Sequence, residues 1–287
     1  YVRNSNTQLA AKAIVKAAHE EGVACWDLFA ATGGKSSCTK WRKEKLMGRD
    51  RIHFTKDGYR EQGTLLYRAL MQSYNQMLKI RKEEKQDYKE VENLIREAFW
   101  NVYVPGCSEH YVAHELRAHE DFVPELDLVA ELDGRIVANV MYTIARLTDE
   151  SGEEKKVLTF GPLSVLPEYQ RKGIGKQLLE ASFEIAEKMG YDVIVIMGDP
   201  NNYVARGFKS CKRFSVCLEG GIFPTGMMVK ELKPGVLDGR TWHYRESPAF
   251  EIDMDKFEEF DRMFELKEKK VQPIQEAFYI ISNSTLN

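Results

Sequence analysis

Between Lys156 and Gly190 the chain reads strand, glycine loop, helix, and that order restricts the fold more than any other stretch. "KVLTFGPLSVL" is a strand interrupted at Gly161-Pro162, where a proline breaks the ladder and favours a bulge or an edge. "LPEYQRKGIGKQLLE" follows at once and opens a helix expected from about Arg171 to Met189, with Gly190 as its stop. Ile174, Leu178, Ala181, Ile185 and Met189 are expected to share one face of it. "VIVIM", Val193 to Met197, is a continuous apolar run that suits a strand buried on both faces. In the loop, Gly173 and Gly175 allow close backbone approach, and a helix N-terminus offers unpaired N–H groups and partial positive charge. With Arg171 and Lys172 added, this is a pyrophosphate cradle. The same glycines also suit a plain helix start with flexible residues, and spacing alone does not separate the two.

The rest of the chain divides unequally. Residues 1–75 read as strand and helix ending in a long helix. "TQLAAKAIVKAAHEEG" has helical spacing, with Leu9, Ala13, Ile14, Val15 and Ala17 apolar and Gly22 as a stop. "VACWDLF" reads as a short buried strand, "AATGGKSS" as a loop, and "GTLLYRALMQSY" as a helix with Leu65, Leu66, Ala69 and Leu70 inward. A compact junction near Asn75 and Gln76 follows, without a Pro/Gly/Ser linker, and Met77 with "MLKIRK" begins a new domain, which suggests a fusion. In "DYKEVENLIREAFW", Asp87 and Glu90 have capping-box spacing, and Tyr88, Val91, Leu94, Ile95, Ala98 and Phe99 form one apolar face. Asp133-Gly134 is a hairpin signal between two strands. "DKFEEFDRMFELKEKK" and "EAFYIIS" predict an amphipathic helix and an apolar tail. The expected organisation is 1–76, 77–250 and a helical extension over 251–287.

Composition excludes several classes. A formal net charge of −3 gives no electrostatic case for nucleic acid or an anionic membrane. No apolar run reaches the roughly 20 residues of a membrane span, and no signal peptide is visible. Cys25, Cys38, Cys107, Cys211 and Cys217 are odd in number and scattered, without zinc spacing, as expected of reduced thiols in the cytoplasm. His110 and His114 are four apart in "CSEHYVAHELRAH", a metal-pair spacing with no third ligand evident, so no metal is expected and a solvated helix face is preferred.

Gln170-Arg171-Lys172-Gly173-Ile174-Gly175 matches the Q/R-x-x-G-x-G/A motif of the GNAT acetyltransferases. "GPLSVLPEYQRKGIGKQLLE", "GDPNNYVARGF" and "MMVKELKPGVLDG" extend the resemblance, which is to the YhbS-like branch of the GNAT N-acetyltransferases over roughly residues 77–250. The resemblance implies an α/β (α+β) fold, a mixed sheet flanked by helices and splayed between its fourth and fifth strands, with acetyl-CoA in the gap. It implies that the backbone around Leu163, Ser164 and Val165 pairs with the pantetheine arm. It places the amides of Arg171, Lys172, Gly173, Ile174, Gly175 and Lys176 on the pyrophosphate, with Gln170 and Asn202 also on the CoA side. It implies an amine acceptor, small molecule or peptide, and is compatible with a homodimer.

Acetyl transfer to an amine needs a neutral nucleophile, a donor for the oxyanion and a proton for the departing thiolate. A strand amide near Val165 suits the oxyanion, and Tyr203 is the candidate acid, since the family commonly carries a tyrosine after its fifth strand. Core packing is the competing role for that ring. Glu131, Glu109 and Glu115 are the carboxylates within reach of a base's task, and none is singled out.

"VACWDLFAATGGKSS…LMGRDRIHFTKDGYREQGTLLYRAL" resembles the C-terminal end of an SGNH (GDSL-like) hydrolase of the kind that removes acyl esters from carbohydrates. There the resemblance makes His53 the base and Asp50 the group that orients it. The Gly-Asp-Ser nucleophile block and the oxyanion blocks of that family are not in the chain, and Ser5, Ser36 and Ser37 lack their context. Because the chain begins at Tyr1 and not Met, the expectation is that the serine half lies upstream; a relic kept for packing is the alternative. Two rival functions stand beside the acetyltransferase: a parent esterase to which the second domain is an appendage, and a non-catalytic CoA-binding module.

Overall fold

The computed structural model describes residues 6–287, apart from the side chains of residues 74–77; Ser5 lies outside the described residues. The chain forms two compact units, Tyr1–Met77 and Leu78–Asn287.

The first unit holds α1 (Asn6–Glu20), α2 (Leu28–Ala31), α3 (Ser37–Lys43) and α4 (Lys56–Met77). Its core is aromatic. Trp41 is buried, donates from Nε1 to the Thr32 carbonyl at 3.0 Å, and meets Phe54 edge-on at 5.4 Å. Gly58 passes so close to the Leu46 carbonyl that a Cβ would stand 1.8 Å from its oxygen, so only glycine fits there. The strand expected at "VACWDLF" is not formed. Val23 to Asp27 run as irregular chain, and Asp27 caps α2 by accepting from the Ala30 amide at 2.9 Å. A capping carboxylate so near the apolar run ends it before a ladder begins. Leu9 and Ile14 of α1 are exposed, because an apolar stripe specifies a face without supplying a layer to cover it.

The second unit is a mixed sheet flanked by helices. Its strands are β1 (Leu78–Lys82), β2 (Leu128–Leu132), β3 (Arg135–Asp149), β4 (Glu154–Val165), β5 (Val193–Met197), β6 (Lys209–Ser210), β7 (Val216–Cys217), β8 (Met227–Glu231) and β9 (Trp242–Arg245). Its helices are α5 (Tyr88–Phe99), α6 (Glu109–Leu116), α7 (Ile174–Lys188), the one-turn α8 (Pro200–Tyr203), α9 (Met254–Asp261) and α10 (Pro273–Ser282). The main strand order is β1-β2-β3-β4-β5-β8-β6, with β9 pairing β3 and β7. The β2–β3 turn carries Asp133 at φ +52° and Gly134 at φ +79°, the left-handed pair that a tight hairpin needs. Neighbours are antiparallel from β1 to β4, but β4 and β5 are parallel and share one residue pair, Leu158 with Ile194. Beyond that pair the strands diverge. The Gly161-Pro162 bond is cis, and the β3–β4 register shifts between Val140 and Tyr142, opposite it.

The helices differ from expectation in detail. Asp87 makes no side-chain cap to α5. Its carboxylate takes the Arg81 guanidinium at 2.5 and 3.2 Å and the Glu84 amide at 2.9 Å, while Glu90 accepts from the Ile136 amide at 3.2 Å. A charged partner outcompetes an exposed backbone amide. On α5 the buried set is Val91, Leu94 and Ile95, with Glu92 and Arg96 beside them. α7 begins at Ile174, not Arg171, and buries Ile174, Leu178, Leu179, Ser182, Phe183 and Ala186, leaving Met189 40% exposed. The stripe is rotated because Ser182 has a partner inside: its hydroxyl meets the Tyr142 hydroxyl at 2.7 Å.

One buried ionic cluster ties the helices to the sheet. Arg117 bonds both oxygens of Glu83 at 2.8 and 2.9 Å and Glu92 at 2.7 Å. Asp127 sits beside Glu83, is pushed well above the usual carboxylate range by burial and that neighbour, and accepts from Asn139 Nδ2 at 3.2 Å. Removing one partner from a buried ion set leaves the others charged and desolvated. Arg117→Ala is therefore expected to destabilise the second unit by about 3–5 kcal/mol in denaturant unfolding, a loss that a surface Arg135→Ala does not reproduce.

Candidate functional site

The divergence of β4 and β5 leaves β4 residues 159–165 paired with β3 on one side and with no strand on the other. That open edge contains Leu163, Ser164 and Val165. Leu163 and Val165 are half-buried and Ser164 is buried, its hydroxyl without a hydrogen-bond partner among the described residues. An extended ligand with its own amides fits such an edge as an added strand would, since its N–H and C=O groups meet unpaired backbone groups.

The loop from β4 to α7 closes one end of the gap. Leu166 anchors it through its amide on the Val137 carbonyl at 2.9 Å, and Gln170 Nε2 donates to the Val165 carbonyl at 3.1 Å. Arg171 at φ +60° and Gly173 at φ +85° turn the chain into the helix. Gly173 stands at the N-cap with no side-chain cap, so the first amides of α7 keep their donors for something else. Gly175 packs on β4, where a Cβ would come within 3.3 Å of Val165 Cγ2. Arg171 and Lys172 are exposed, Lys172 over the Tyr169 ring at 5.0 Å, and Lys176 pairs loosely with Glu180 at 3.6 Å. Exposed amides at a helix start, positive charge and an adjacent free strand edge together make an anion site continuous with an extended groove.

Tyr203 ends α8, just after β5. Asp199 starts that turn by accepting from the Asn201 amide at 2.9 Å, and Asn202 is exposed on it. The Tyr203 ring lies over Gly198, where a Cβ would come within 2.9 Å, and packs near Phe160 at 5.7 Å and Phe208 at 5.9 Å. Burial pushes its phenol up, and Tyr103 and Asp199 add to that, so it stays protonated. Tyr103, in the segment after α5, is raised by burial and then by the negative charges of Glu109 and Asp199. Asp199 thus acts on both phenols, and Glu109 on that of Tyr103.

Among the carboxylates weighed from sequence, Glu131 is committed to Arg81 at 3.0 Å on the β1–β2 side of the sheet. Glu109, at the first turn of α6, is raised by burial and accepts the Ser108 amide at 3.0 Å. Sequence spacing offers no preference between it and Glu115. Of the two histidines expected on a solvated face, His114 is exposed and His110 is not. His110 is buried against Phe257, Phe260 and Phe264, its Nε2 on Asp261 at 3.1 Å, and burial lowers it to about 4. His114 Nδ1 faces Glu92 at 3.0 Å. Phe257 and Phe260 of α9, with Phe264 just after it, cover the His110 side of the helix that spacing assigned to water.

In the first unit Asp50 and His53 meet. His53 Nδ1 lies 2.7 Å from Asp50 Oδ2, and Asp50 Oδ1 accepts the Ile52 and His53 amides at 3.0 and 3.1 Å. The His53 contact holds the Asp50 carboxyl down to about 2. His53 is exposed, and its Nε2 is the ring nitrogen left over from this contact.

The model of the acetyltransferase (GNAT) family matches residues 93–210, within the second unit. The uncharacterized N-acetyltransferase YjhQ of Escherichia coli is 31% identical over 88 residues, which span 31% of this chain and 48% of YjhQ. The uncharacterized N-acetyltransferase YhbS of E. coli is 30% identical over 131 residues, 45% of this chain and 72% of YhbS. The crystal structure of the E. coli GNAT-family N-acetyltransferase YhbS in complex with CoA superposes with a TM-score of 0.52 at 24% identity, covering 61% of this chain and 92% of YhbS.

Proposed function

We propose, from the premise that this chain belongs to the GNAT family of acetyltransferases, that it is an acetyl-CoA-dependent N-acetyltransferase whose co-substrate lies in the gap between β4 and β5 and whose acceptor is an amine. The observation that carries the reading is the single β4–β5 pair, Leu158 with Ile194, which leaves an open strand edge running into an uncapped helix start. The CoA held by the solved YhbS structure supports the same choice of ligand.

Acetyl-CoA would supply a thioester, a carbonyl open to direct attack and a thiolate leaving group. The residues divide the remaining work. The amides from Arg171 to Lys176 hold the pyrophosphate, with Gln170 bracing the loop on β4, and Leu163, Ser164 and Val165 offer the strand edge to the pantetheine arm. Asn202 borders the same gap. Tyr203 holds its proton at the phenol oxygen for the departing sulfur; burial, with Tyr103 and Asp199 adding to it, keeps the phenol protonated, so its role is that of donor and not of base. Glu109 is the base. Its carboxyl is raised above the usual range, toward the pH at which an ammonium acceptor must be relieved of a proton.

A second, separate reading concerns residues 1–77. The 2.7 Å Asp50–His53 contact supports a C-terminal segment of an SGNH-type hydrolase, with His53 as base and Asp50 orienting it. The nucleophilic serine of such a site is not among the motifs of this chain, so an esterase would need it from elsewhere.

Acetyl-CoA is expected to raise the melting temperature of the chain, by roughly 2.7 kcal/mol of stabilisation at a hundredfold excess over Kd. Gly173→Asp places a carboxylate against the phosphates and is expected to remove that shift, and an unaltered Kd in the variant would refute the cradle. Tyr203→Phe is expected to lower kcat by roughly 10²–10⁴-fold with acetyl-CoA affinity kept, where chemistry limits the rate. For Glu109 the sign follows from its raised carboxyl: the base works ionised, so kcat/KM falls as pH drops through that raised value, and Glu109→Gln loses this acidic limb together with most of the rate. For the first unit, p-nitrophenyl acetate hydrolysis by this chain is expected to equal that of His53→Ala; a rate lost on that substitution means a serine is placed after all.

A further inference from the structure

Residues 265–287 run from the segment after α5 to the turn before β8. On α10 a half-buried stripe, Gln275, Phe278 and Ile281, faces the unit, while Ile274, Tyr279 and Ile280 are exposed. The inner stripe holds two rims at once. Gln275 Nε2 donates to the Asn101 carbonyl at 3.0 Å, and the Phe278 ring lies 4.2 Å from Tyr103, tilted by 30°. Ile281 lies against Gly226, where a Cβ would come within 3.1 Å of its Cγ2. The chain on either side extends both attachments. The Lys270 amide donates to Asn101 Oδ1 at 2.9 Å, the Thr225 amide to the Ser284 carbonyl at 2.9 Å, and the Leu286 amide to the Phe223 carbonyl at 2.8 Å.

These rims, the segment 100–106 after α5 and the turn 223–226 before β8, flank the candidate acid. Tyr103 acts on the Tyr203 phenol, and Gly226 accepts from the amide of Gly198, over which the Tyr203 ring lies, at 2.9 Å. Resting on the acetyltransferase reading above, we propose that residues 265–287 form the acceptor-side wall, that Phe278 is a specificity-determining residue on it, and that the acceptor is a small cationic amine, not a polypeptide.

A polypeptide passing between the rims would break the Thr225–Ser284 and Leu286–Phe223 hydrogen bonds and part Phe278 from Tyr103. A small molecule requires neither. The Tyr103–Phe278 ring pair gives this wall an aromatic surface, whose π-density attracts an ammonium, and Asp199, which starts the turn that ends in Tyr203, supplies a carboxylate that favours a cation. No bond is made or broken by this wall; its effect is on which amine reaches the site.

Thiol release from acetyl-CoA is followed for the intact chain with phenethylamine, putrescine and ethanolamine, and with an octapeptide bearing a free N-terminus and one lysine. The intact chain is expected to use at least one of the small amines and not the octapeptide. Phe278→Ala is expected to raise the KM of that amine by roughly tenfold, with kcat and the KM of acetyl-CoA held within about twofold. Phe278→Leu should fall between, and serves if the alanine variant does not fold. Ile281→Asp, which drives a carboxylate against Gly226 and loosens the wall, should admit the octapeptide. An intact chain that acetylates the octapeptide as well as any small amine overturns the proposal, as does an amine KM unchanged in folded Phe278→Ala and Phe278→Leu. A chain that binds acetyl-CoA but transfers to nothing overturns the acetyltransferase reading as well, which the direct binding measurement makes distinguishable.

Discussion

Everything on the reactive side of the second unit depends on one weak join. β4 and β5 share only the pair Leu158–Ile194, so two parallel strands of one sheet part company and leave backbone groups of β4 exposed to the gap. Unpaired strand groups in a protein interior are costly unless something meets them, and the gap is therefore a place where a ligand with its own amides is favoured. The divergence is held by its surroundings. On one side the β3–β4 ladder is long and carries a register shift opposite the cis Gly161-Pro162 bond; on the other, β5 pairs fully with β8. α7 packs across the divide, with Ser182 bonded to Tyr142 in the core. The loop that feeds α7 then brings its amides to the mouth of the gap.

Much of this was legible from local pattern. The β4–loop–α7 unit could be read because its signals are short-range: a strand, two glycines three and five residues after a glutamine, a helix. The Asp133-Gly134 hairpin and the buried β5 run are of the same kind. What could not be read was the competition between partners distant in sequence. Asp87 has the spacing of a helix cap but is taken by Arg81, and His110 has the spacing of a ligand but is taken by α9 and Asp261. "VACWDLF" has the composition of a strand, but among the described residues no ladder forms beside it and Asp27 turns the chain into α2. The candidate base shows the same limit. Glu109 is set apart from Glu115 only by its burial at the first turn of α6, whereas Tyr203 could be named from the family resemblance after β5.

The two units contrast in what their polar pairs can do. Asp50 and His53 are joined by a short loop and need no distant support, so the pair forms from local sequence alone. Tyr203 and Glu109 come from segments about ninety residues apart, and α10 links the segment before Glu109 to the turn before β8 through Phe278 and Ile281.

Native mass spectrometry of the purified chain, before and after addition of acetyl-CoA, tests the account most directly. The account predicts a one-to-one complex shifted by the mass of acetyl-CoA or CoA, dissociating as a single ligand. A chain that remains at its own mass under a large excess of acetyl-CoA would contradict it.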